Sequence, residues 1–525
     1  MAQNLRIGVD VGGTNTDAVL MDGDSILETC KTPTTHDIGS GIVSAIRELL
    51  HPEGTHTAEV RAVMIGTTQF TNTFVQARGL ARVGVLRLSL PASASLLPLA
   101  GWPPVVADAV RGVSVLVPGG YEFDGREISS FDERAVRDAA RQFRDAGLTA
   151  VAISCPFSSV RDDMEVRARQ IVAEELPDAA ITMSSEIGST GLLARENAAI
   201  INASLARLAE QIVDSFQAAL DSLGIEAPLF VSQNDGTLMN AGFTKRFPVL
   251  TFASGPTNSM RGAALLSGCT DGIVIDIGGT TTDVGVLQNG FPRHSSEPVR
   301  VGGVYTNFRM PDLLSVALGG GSVVRREPEL SVGPASVGLD IVREALVFGG
   351  HTLTATDVVV ALGAAEVGER SKVAHLEQEF LECCRTRIQQ IIVDTIDRVK
   401  TRAENQPVIL VGGGSILVTQ HLEGAGEQIL PPHSNVANAV GAGIAQVGGE
   451  VDRVYSFDQL SRDAALDMAR TEAIEQARQA GARQNAIDIV SVEEVPLAYM
   501  PGGSVRVRVK AVGDLDLDRF SGTSS

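Results

Sequence analysis

The sequence predicts an α/β protein of two related halves, with an α/β segment inserted in the first and a small α+β appendage at the C-terminus. Three observations carry this. A glycine-rich strand–turn–strand block occurs near the N-terminus and again at residue 273. Strand-like and helix-like stretches alternate through most of the chain, the pattern of packed α/β layers. At 525 residues the chain also exceeds what one core organises, since domains run to roughly 100–200 residues.

The first block reads Ile7-Gly-Val-Asp-Val-Gly-Gly-Thr-Asn-Thr-Asp17, followed by Ala-Val-Leu-Met-Asp-Gly. The second reads Ile273-Val-Ile-Asp-Ile-Gly-Gly-Thr-Thr-Thr-Asp283, followed by Val-Gly-Val-Leu-Gln-Asn-Gly. From Asp10 to Asp17 and from Asp276 to Asp283, six of eight positions are identical, which marks an internal repeat. Each block is an apolar strand, a glycine turn, a second apolar strand and an Asn/Asp-Gly turn, hence a β-hairpin. A Walker or dinucleotide loop would instead lead from strand to helix.

Between the blocks, residues 60–180 alternate strand and helix and read as the insertion. Val83–Leu88 is a strand, Asp132–Ala146 a helix, and Ala150–Ile153 a buried strand stopping before Pro156. A long amphipathic helix over 190–223 and a strand at Leu229–Ser232 close the first half, residues 1–270. The second half, 271–454, holds a helix from about Ala374 to Ala403 and a buried strand opening at Val408 onto Gly412-Gly-Gly-Ser415. The appendage, 455–525, reads as a helix over Asp463–Gly481 and strands over Ala486–Val495 and Ser504–Val512, split by a Pro-Gly-Gly turn. Phe520–Ser525 reads as a frayed tail.

A net charge of −20 makes nucleic acid and anionic membrane poor partners. A nucleotide is still compatible, given local backbone donors and a cation. The five cysteines lack paired zinc spacing and read as reduced thiols. The eight histidines show no ligand pattern; His36, His51 and His56 read as solvated loop residues. No apolar run approaches the ~20 residues that span a bilayer, and a strand pattern stands where a signal peptide would. A cytoplasmic location is expected.

The hairpins suggest their own chemistry. A Gly-Gly-Thr turn presents successive backbone N–H groups that converge on an anion. In the first turn Gly12, Gly13, Thr14, Asn15 and Thr16 are candidate phosphate contacts; in the second, Gly278, Gly279, Thr280, Thr281 and Thr282. Asp10 and Asp276 end the first strand of each block. Anionic themselves, they suit water on Mg²⁺, or an attacking group, better than phosphate oxygen. Two facing turns would clamp the β- and γ-phosphates of a triphosphate. Asp17 and Asp283 read equally as cleft residues and as anchors of the turn amides. Gly412, Gly413 and Gly414 suit nucleoside contact or a plain turn. Gly319-Gly-Gly-Ser322 reaches a ligand or turns the chain. The small residues of Ser434–Gly443 fit a hinge or ordinary close helix packing.

The paired Asp-x-Gly-Gly-Thr-x-Thr-Asp hairpins resemble the two phosphate motifs of the actin/sugar-kinase/Hsp70 superfamily, and Val408–Ser415 is similar to its adenosine motif. A further set in chain order resembles the hydantoinase/oxoprolinase A-subunit family. It comprises Ile65-Gly-Thr-Thr-Gln-Phe-Thr-Asn72 with Arg78-Gly79, Ser184-Ser-Glu186, Glu196, Asn202-Ala203, Ser254-Gly-Pro256, Gly319-Gly-Gly-Ser322 and Thr356-Asp357. The sequence departs from that family's pattern at Ile65, where His is common, and at Ala335–Asp340, where a Pro-Gly-Pro segment is usual. The resemblance implies duplicated actin-like (ribonuclease H-like) domains, ATP and Mg²⁺ as cofactors, and Asp10 and Asp276 holding the metal through water. It further implies ATP-driven opening of a cyclic amide such as a hydantoin or 5-oxoproline, a B-type partner subunit and an oligomeric assembly. Related subunits also activate ketones for carboxylation, so substrate does not follow from fold. A small-molecule kinase and a regulatory ATPase subunit are the other readings open to the same hairpins.

Overall fold

The computed structural model describes residues 4–12, 15–34, 38–50, 57–188, 190–295, 299–327, 329–457, 460–497 and 503–520. Gly13, Thr14, His36, His51, His56, the Pro501-Gly502 part of the turn and residues 521–525 lie outside the described residues.

Both blocks fold as antiparallel hairpins with the same surroundings. β1 (Leu5–Val11) pairs with β2 (Asn15–Asp22), placing Asp10 opposite Asp17, and β3 (Ser25–Pro33) continues the meander. On its other side β1 runs parallel to β4 (Val60–Thr67), with Asp10 beside Gly66. All seven β1 residues are buried, as expected of a strand covered on both faces.

The inserted layer is a separate, wholly parallel sheet in the order β6-β5-β7-β8. It is formed by β5 (Val83–Leu90), β6 (Arg111–Pro118), β7 (Ala150–Ser154) and β8 (Ala180–Met183). Its helix Glu133–Asp145 starts as expected, with the Asp132 carboxylate accepting from the Ala135 amide. The insertion begins later than the expected residue 60, because β4 belongs to the main sheet beside β1.

The 31-residue helix Leu192–Ser222 leads to β9 (Leu229–Ser232) and β10 (Leu238–Asn240), which extend the main sheet beyond β4. Helix Ser254–Ser267 then carries the chain to the second hairpin.

β11 (Gly272–Ile277) pairs antiparallel with β12 (Thr282–Gln288), with Asp276 opposite Asp283, and β13 (Phe291–Pro292) pairs with β12. β14 (Val299–Val301) and β15 (Val304–Thr306) form a small ribbon, and β16 (Leu313–Val316) pairs with β12. β17 (Ser322–Arg325) and β18 (Ser331–Ser336) form a second ribbon. The expected long helix spans Gln378–Val399, shorter than the sequence pattern. After it β19 (Val408–Val411) lies parallel to β11, repeating the relation of β4 to β1, and β20 (Gln428–Ile429) follows β19. The duplication therefore extends from six identical residues to shared topology.

The C-terminal segment departs from the sequence reading. β21 (Gln446–Ser456), β22 (Ala482–Pro496) and β23 (Ser504–Leu515) complete a nine-stranded sheet in the order β22-β23-β21-β10-β9-β4-β1-β2-β3. The segment expected as an appendage thus extends the first half's sheet, and the chain rejoins it at 446 rather than leaving at 455. Its helix, Arg462–Gln479, packs a row of alanines, Ala465, Ala469, Ala473 and Ala477, in the core shared with β21 and β23. The buried Lys510 ammonium, 3.1 Å from Asp235, pins β23 to the loop between β9 and β10.

The two halves meet where helix Ala437–Ala442 crosses helix Ser254–Ser267 and β1. A Cβ on Gly262 would stand 1.8 Å from the Ala437 carbonyl oxygen, and one on Gly441 1.8 Å from that of Asn258. The backbones touch because neither residue has a side chain. The small residues of Ser434–Gly443 thus serve close packing at this crossing.

Candidate functional site

The two hairpin turns open onto one cavity of 420 Å³ between the halves. Gly12, Asn15 and Asp17 line it from the first hairpin, and Gly278, Gly279, Thr280, Thr281 and Asp283 from the second. Asp10 and Asp276 enter from the strand ends, and Gly412, Gly413 and Gly414 close one side. A larger depression of 850 Å³ lies between the inserted sheet, β10 and the C-terminal segment. It holds none of the expected site residues, so size alone is a poor guide; the smaller cavity gathers the chemistry.

Each turn is built the same way. The Gly12 amide donates to the Asn15 carbonyl at 3.0 Å, and the Gly278 amide to Thr281 at 2.8 Å. Strand alternation then sorts the residues that follow. Asn15 and Asp17 face the cavity, as do Thr281 and Asp283, while Thr16 and Thr282 point to the opposite face. Thr282 donates to the Leu318 carbonyl at 2.7 Å, and the Thr16 hydroxyl lies 3.3 Å from that of Thr34. These two threonines are structural, correcting the expectation that they meet phosphate.

Asp10 and Asp276 occupy equivalent settings. The side-chain amides of Asn258 and Asn438 donate to Asp10 at 3.4 and 3.0 Å. Ser259, the neighbour of Asn258 on the same helix, bonds Asp276. One helix thus serves both carboxylates with adjacent residues. Burial, then the nearby Asp17, pushes Asp10 up to about 6 against the two amide bonds. Burial likewise pushes Asp276 up to about 6, with Asp283 and Asp10 adding to it and the Ser259 bond opposing. Each aspartate also has a glycine that makes room for it. A Cβ on Gly66 would meet the Asp10 Oδ1 at 2.4 Å, and one on Gly412, where φ is +84°, the Asp276 Oδ1 at 2.3 Å.

The third glycine run divides its work. Gly412 and Gly414 are wedged against the end of β11, the Gly414 amide donating to the Ile277 carbonyl at 2.7 Å, whereas Gly413 stands open with nothing within 4 Å of its Cβ position. The fourth run lies on the second hairpin turn: the Gly320 and Gly321 amides donate to the Gly278 and Gly279 carbonyls at 3.0 and 2.7 Å. It braces that turn, and Gly320 also lines the cavity, as does Gly338 from the segment Ala335–Asp340. Asp17 bonds Lys31 at 3.0 Å and Asp283 bonds the Ser315 hydroxyl, so the bonds made by both run across the cleft wall to side chains.

Sequence reasoning missed Lys31, Asn258, Ser259 and Asn438. The last three sit within or just beyond segments it had singled out, but with no role attached. Conversely, several residues that carried the family resemblance hold the scaffold. Glu196 accepts from Arg87 at 2.7 and 2.6 Å and from Ser154 at 2.7 Å, all fully buried. Asp357 completes a capping box with Thr354 and accepts the Val347 amide at 2.8 Å.

Residues 6–176 match the hydantoinase/oxoprolinase N-terminal region, and residues 195–369 match the hydantoinase/oxoprolinase model. The chain belongs to the hydantoinase/oxoprolinase family. Among its relatives, caprolactamase subunit alpha of Pseudomonas jessenii is 26% identical over 423 residues, covering 75% of this chain and 60% of the relative. The acetophenone carboxylase gamma subunit of Aromatoleum aromaticum is 27% identical over 395 residues, 68% of this chain and 53% of the relative. This member of the family therefore spans between about half and two thirds of the length of these curated relatives. The solved structure of the ATP-dependent caprolactamase from Pseudomonas jessenii superposes with a TM-score of 0.79 at 21% identity, covering 97% of this chain and 87% of that one. That likeness agrees with the expected fold, a duplicated actin-like α/β architecture. Among the described residues no helix is long and apolar enough to cross a membrane.

Proposed function

We propose that this chain is the ATP-using subunit of a cyclic-amide hydrolase, transferring the γ-phosphoryl group to an amide carbonyl oxygen. The observation that carries the reading is the convergence of both hairpin turns, Asp10, Asp276 and the open Gly413 on one cavity. The relatives' activities, an ATP-dependent caprolactamase among them, support it.

In this reading the turns at Gly12–Asn15 and Gly278–Thr281 receive the phosphates through backbone N–H groups, and Thr280 and Thr281 add hydroxyls. Asp10 and Asp276 fit Mg²⁺, which takes one or two carboxylates together with water and phosphate oxygens. Among the described residues no three His, Cys, Asp or Glu side chains cluster into a fuller metal cage. Magnesium, when bound, supplies charge neutralisation for the phosphates. Asn258, Asn438 and Ser259 hold the two carboxylates in place.

An amide carbonyl is a poor electrophile. Its oxygen attacks the γ-phosphorus, the bond to the bridging oxygen breaks and ADP leaves, giving an imidate-type phosphate. Water then adds to the activated carbon, and the ring C–N bond breaks as the nitrogen takes a proton and leaves as an amine. A second water hydrolyses the resulting acyl phosphate to carboxylate and phosphate. This second stage is assigned to a B-type partner subunit acting with the chain. A second reading, carbonyl activation for carboxylation, draws support from the acetophenone carboxylase relative. Both begin with phosphoryl transfer to a carbonyl oxygen.

The test is phosphate release from the purified protein with Mg-ATP, alone and with its partner subunit, across lactams, hydantoins and ketones with bicarbonate. Stimulation by a cyclic amide with appearance of the ring-opened acid is expected. A persistent phosphorylated metabolite would instead make the protein a kinase. Turnover that responds to the partner and to no small molecule would make it a regulatory ATPase.

A further inference from the structure

Four carboxylates line the cleft, Asp10, Asp17, Asp276 and Asp283, and the basic side chain among the described lining residues is Lys31. A polyphosphate tail entering such a wall meets strong repulsion that backbone amides only partly offset. Lys31 projects from β3, directly across from Asp17 on β2. Its ammonium lies 2.7 and 3.0 Å from the two Asp17 carboxylate oxygens, the hydrogen bond being the one at 3.0 Å, and 3.2 Å from the backbone carbonyl of Asn435. Asn435 stands two residues before the helix that crosses to the first half, in the segment where the Ser434 carbonyl accepts the Gly412 amide at 2.9 Å. One side chain of β3, the strand that flanks the first hairpin, therefore reaches the base of the third glycine turn. The lysine side chain is 35% exposed while its Asp17 partner is 4% exposed, so the cation is free to re-aim over a fixed anion.

We propose that Lys31 is the phosphate-recognising cation of this cleft, and that its contact with Asn435 couples phosphate binding to the approach of the two halves. The inference rests on the nucleotide reading above. An ammonium carries three N–H donors, and Asp17 and Asn435 account for two, which leaves capacity for a phosphate oxygen. Asp17 then acts as a positioning residue, holding the ammonium at the cleft wall. The lysine also neutralises part of the charge that two buried aspartates and a polyphosphate would place together.

The test is calorimetric binding of Mg-AMPPNP and of adenosine to the full chain, comparing wild type, Lys31→Met, Lys31→Arg and the double variant Lys31→Met/Asp17→Asn. The double variant removes the buried anion together with its partner, so a folding defect of the single variant does not decide the outcome. Loss of one charge-assisted contact should weaken AMPPNP roughly ten- to a hundredfold in both methionine variants. Adenosine affinity should hold, Lys31→Arg should retain most of the AMPPNP affinity, and the salt dependence of AMPPNP binding should flatten. Unchanged AMPPNP affinity in the folded double variant, or an equal loss for adenosine, would overturn the role of Lys31. Wild-type protein that binds neither ligand would overturn the proposed function itself.

Discussion

Replacing Asp276 with asparagine should stabilise the folded protein at pH 8 while abolishing turnover. The carboxylate is buried beside Asp10 and Asp283 and titrates at about 6 instead of 3.8. At about 1.4 kcal/mol per pH unit, that displacement corresponds to a cost on the order of 3 kcal/mol once the group is ionised. The sign follows from proton binding. Between pH 4 and 6 the folded state holds this proton more tightly than the unfolded chain does. Its contribution is favourable to the fold at low pH and is lost as pH rises through 6. Asparagine has nearly the same shape and keeps an oxygen for the Ser259 bond, but carries no charge to bury. Thermal unfolding of wild type and Asp276→Asn at pH 8 and pH 4.5 tests this. The variant should melt several degrees higher at pH 8, a gap that narrows toward pH 4.5. A variant less stable than wild type at pH 8, or a gap independent of pH, would refute the argument that the site stores ionisation strain for function.

Other outcomes follow from the same geometry. Asp10→Ala or Asp276→Ala should lower ATP turnover on the order of 100-fold or more with circular dichroism unchanged, and wild-type turnover in either would remove its assigned role. Gly412→Ala places a methyl 2.3 Å from the Asp276 carboxylate at a φ of +84°, so turnover should collapse with a stability loss of about 1–3 kcal/mol by denaturant titration. Gly262→Val drives a side chain into the Ala437 carbonyl and should lower the unfolding midpoint sharply, whereas substitution at Gly413, where the Cβ position is open, should leave stability within about 0.5 kcal/mol. Because both aspartates sit near 6, Mg-nucleotide binding at pH 6 should release protons, seen as a calorimetric enthalpy that varies with buffer ionisation heat.

The hairpins were legible because everything that makes them is local: apolar strands, glycine turns and a repeat of eight positions. The same local view misplaced β4 and the C-terminal strands. β4 pairs in parallel with β1 across some fifty residues of chain, and β23 is joined to Asp235 by a lysine 275 residues away, relations that no window of sequence contains. Thr16 and Thr282 were assignable in principle, since a period of two already places Asp17 and Asp283 on the cleft face and the threonines behind them. Motif identity outweighed alternation there. The partners of the aspartates were not assignable. Asn258 and Asn438 are separated by 180 residues and meet Asp10 only because two glycine-bearing helices cross in contact. Glu196 and Asp357 show the converse: residues that mark the family hold buried networks away from the reacting groups.

The most direct test of the account is a crystal structure with Mg²⁺ and a non-hydrolysable ATP analogue. The terminal phosphates are expected between the Gly12–Asn15 and Gly278–Thr281 turns, the metal on the side of Asp10 and Asp276, and the adenosine toward Gly413. A nucleotide held by one hairpin alone, or seated in the depression beside β10, would contradict it.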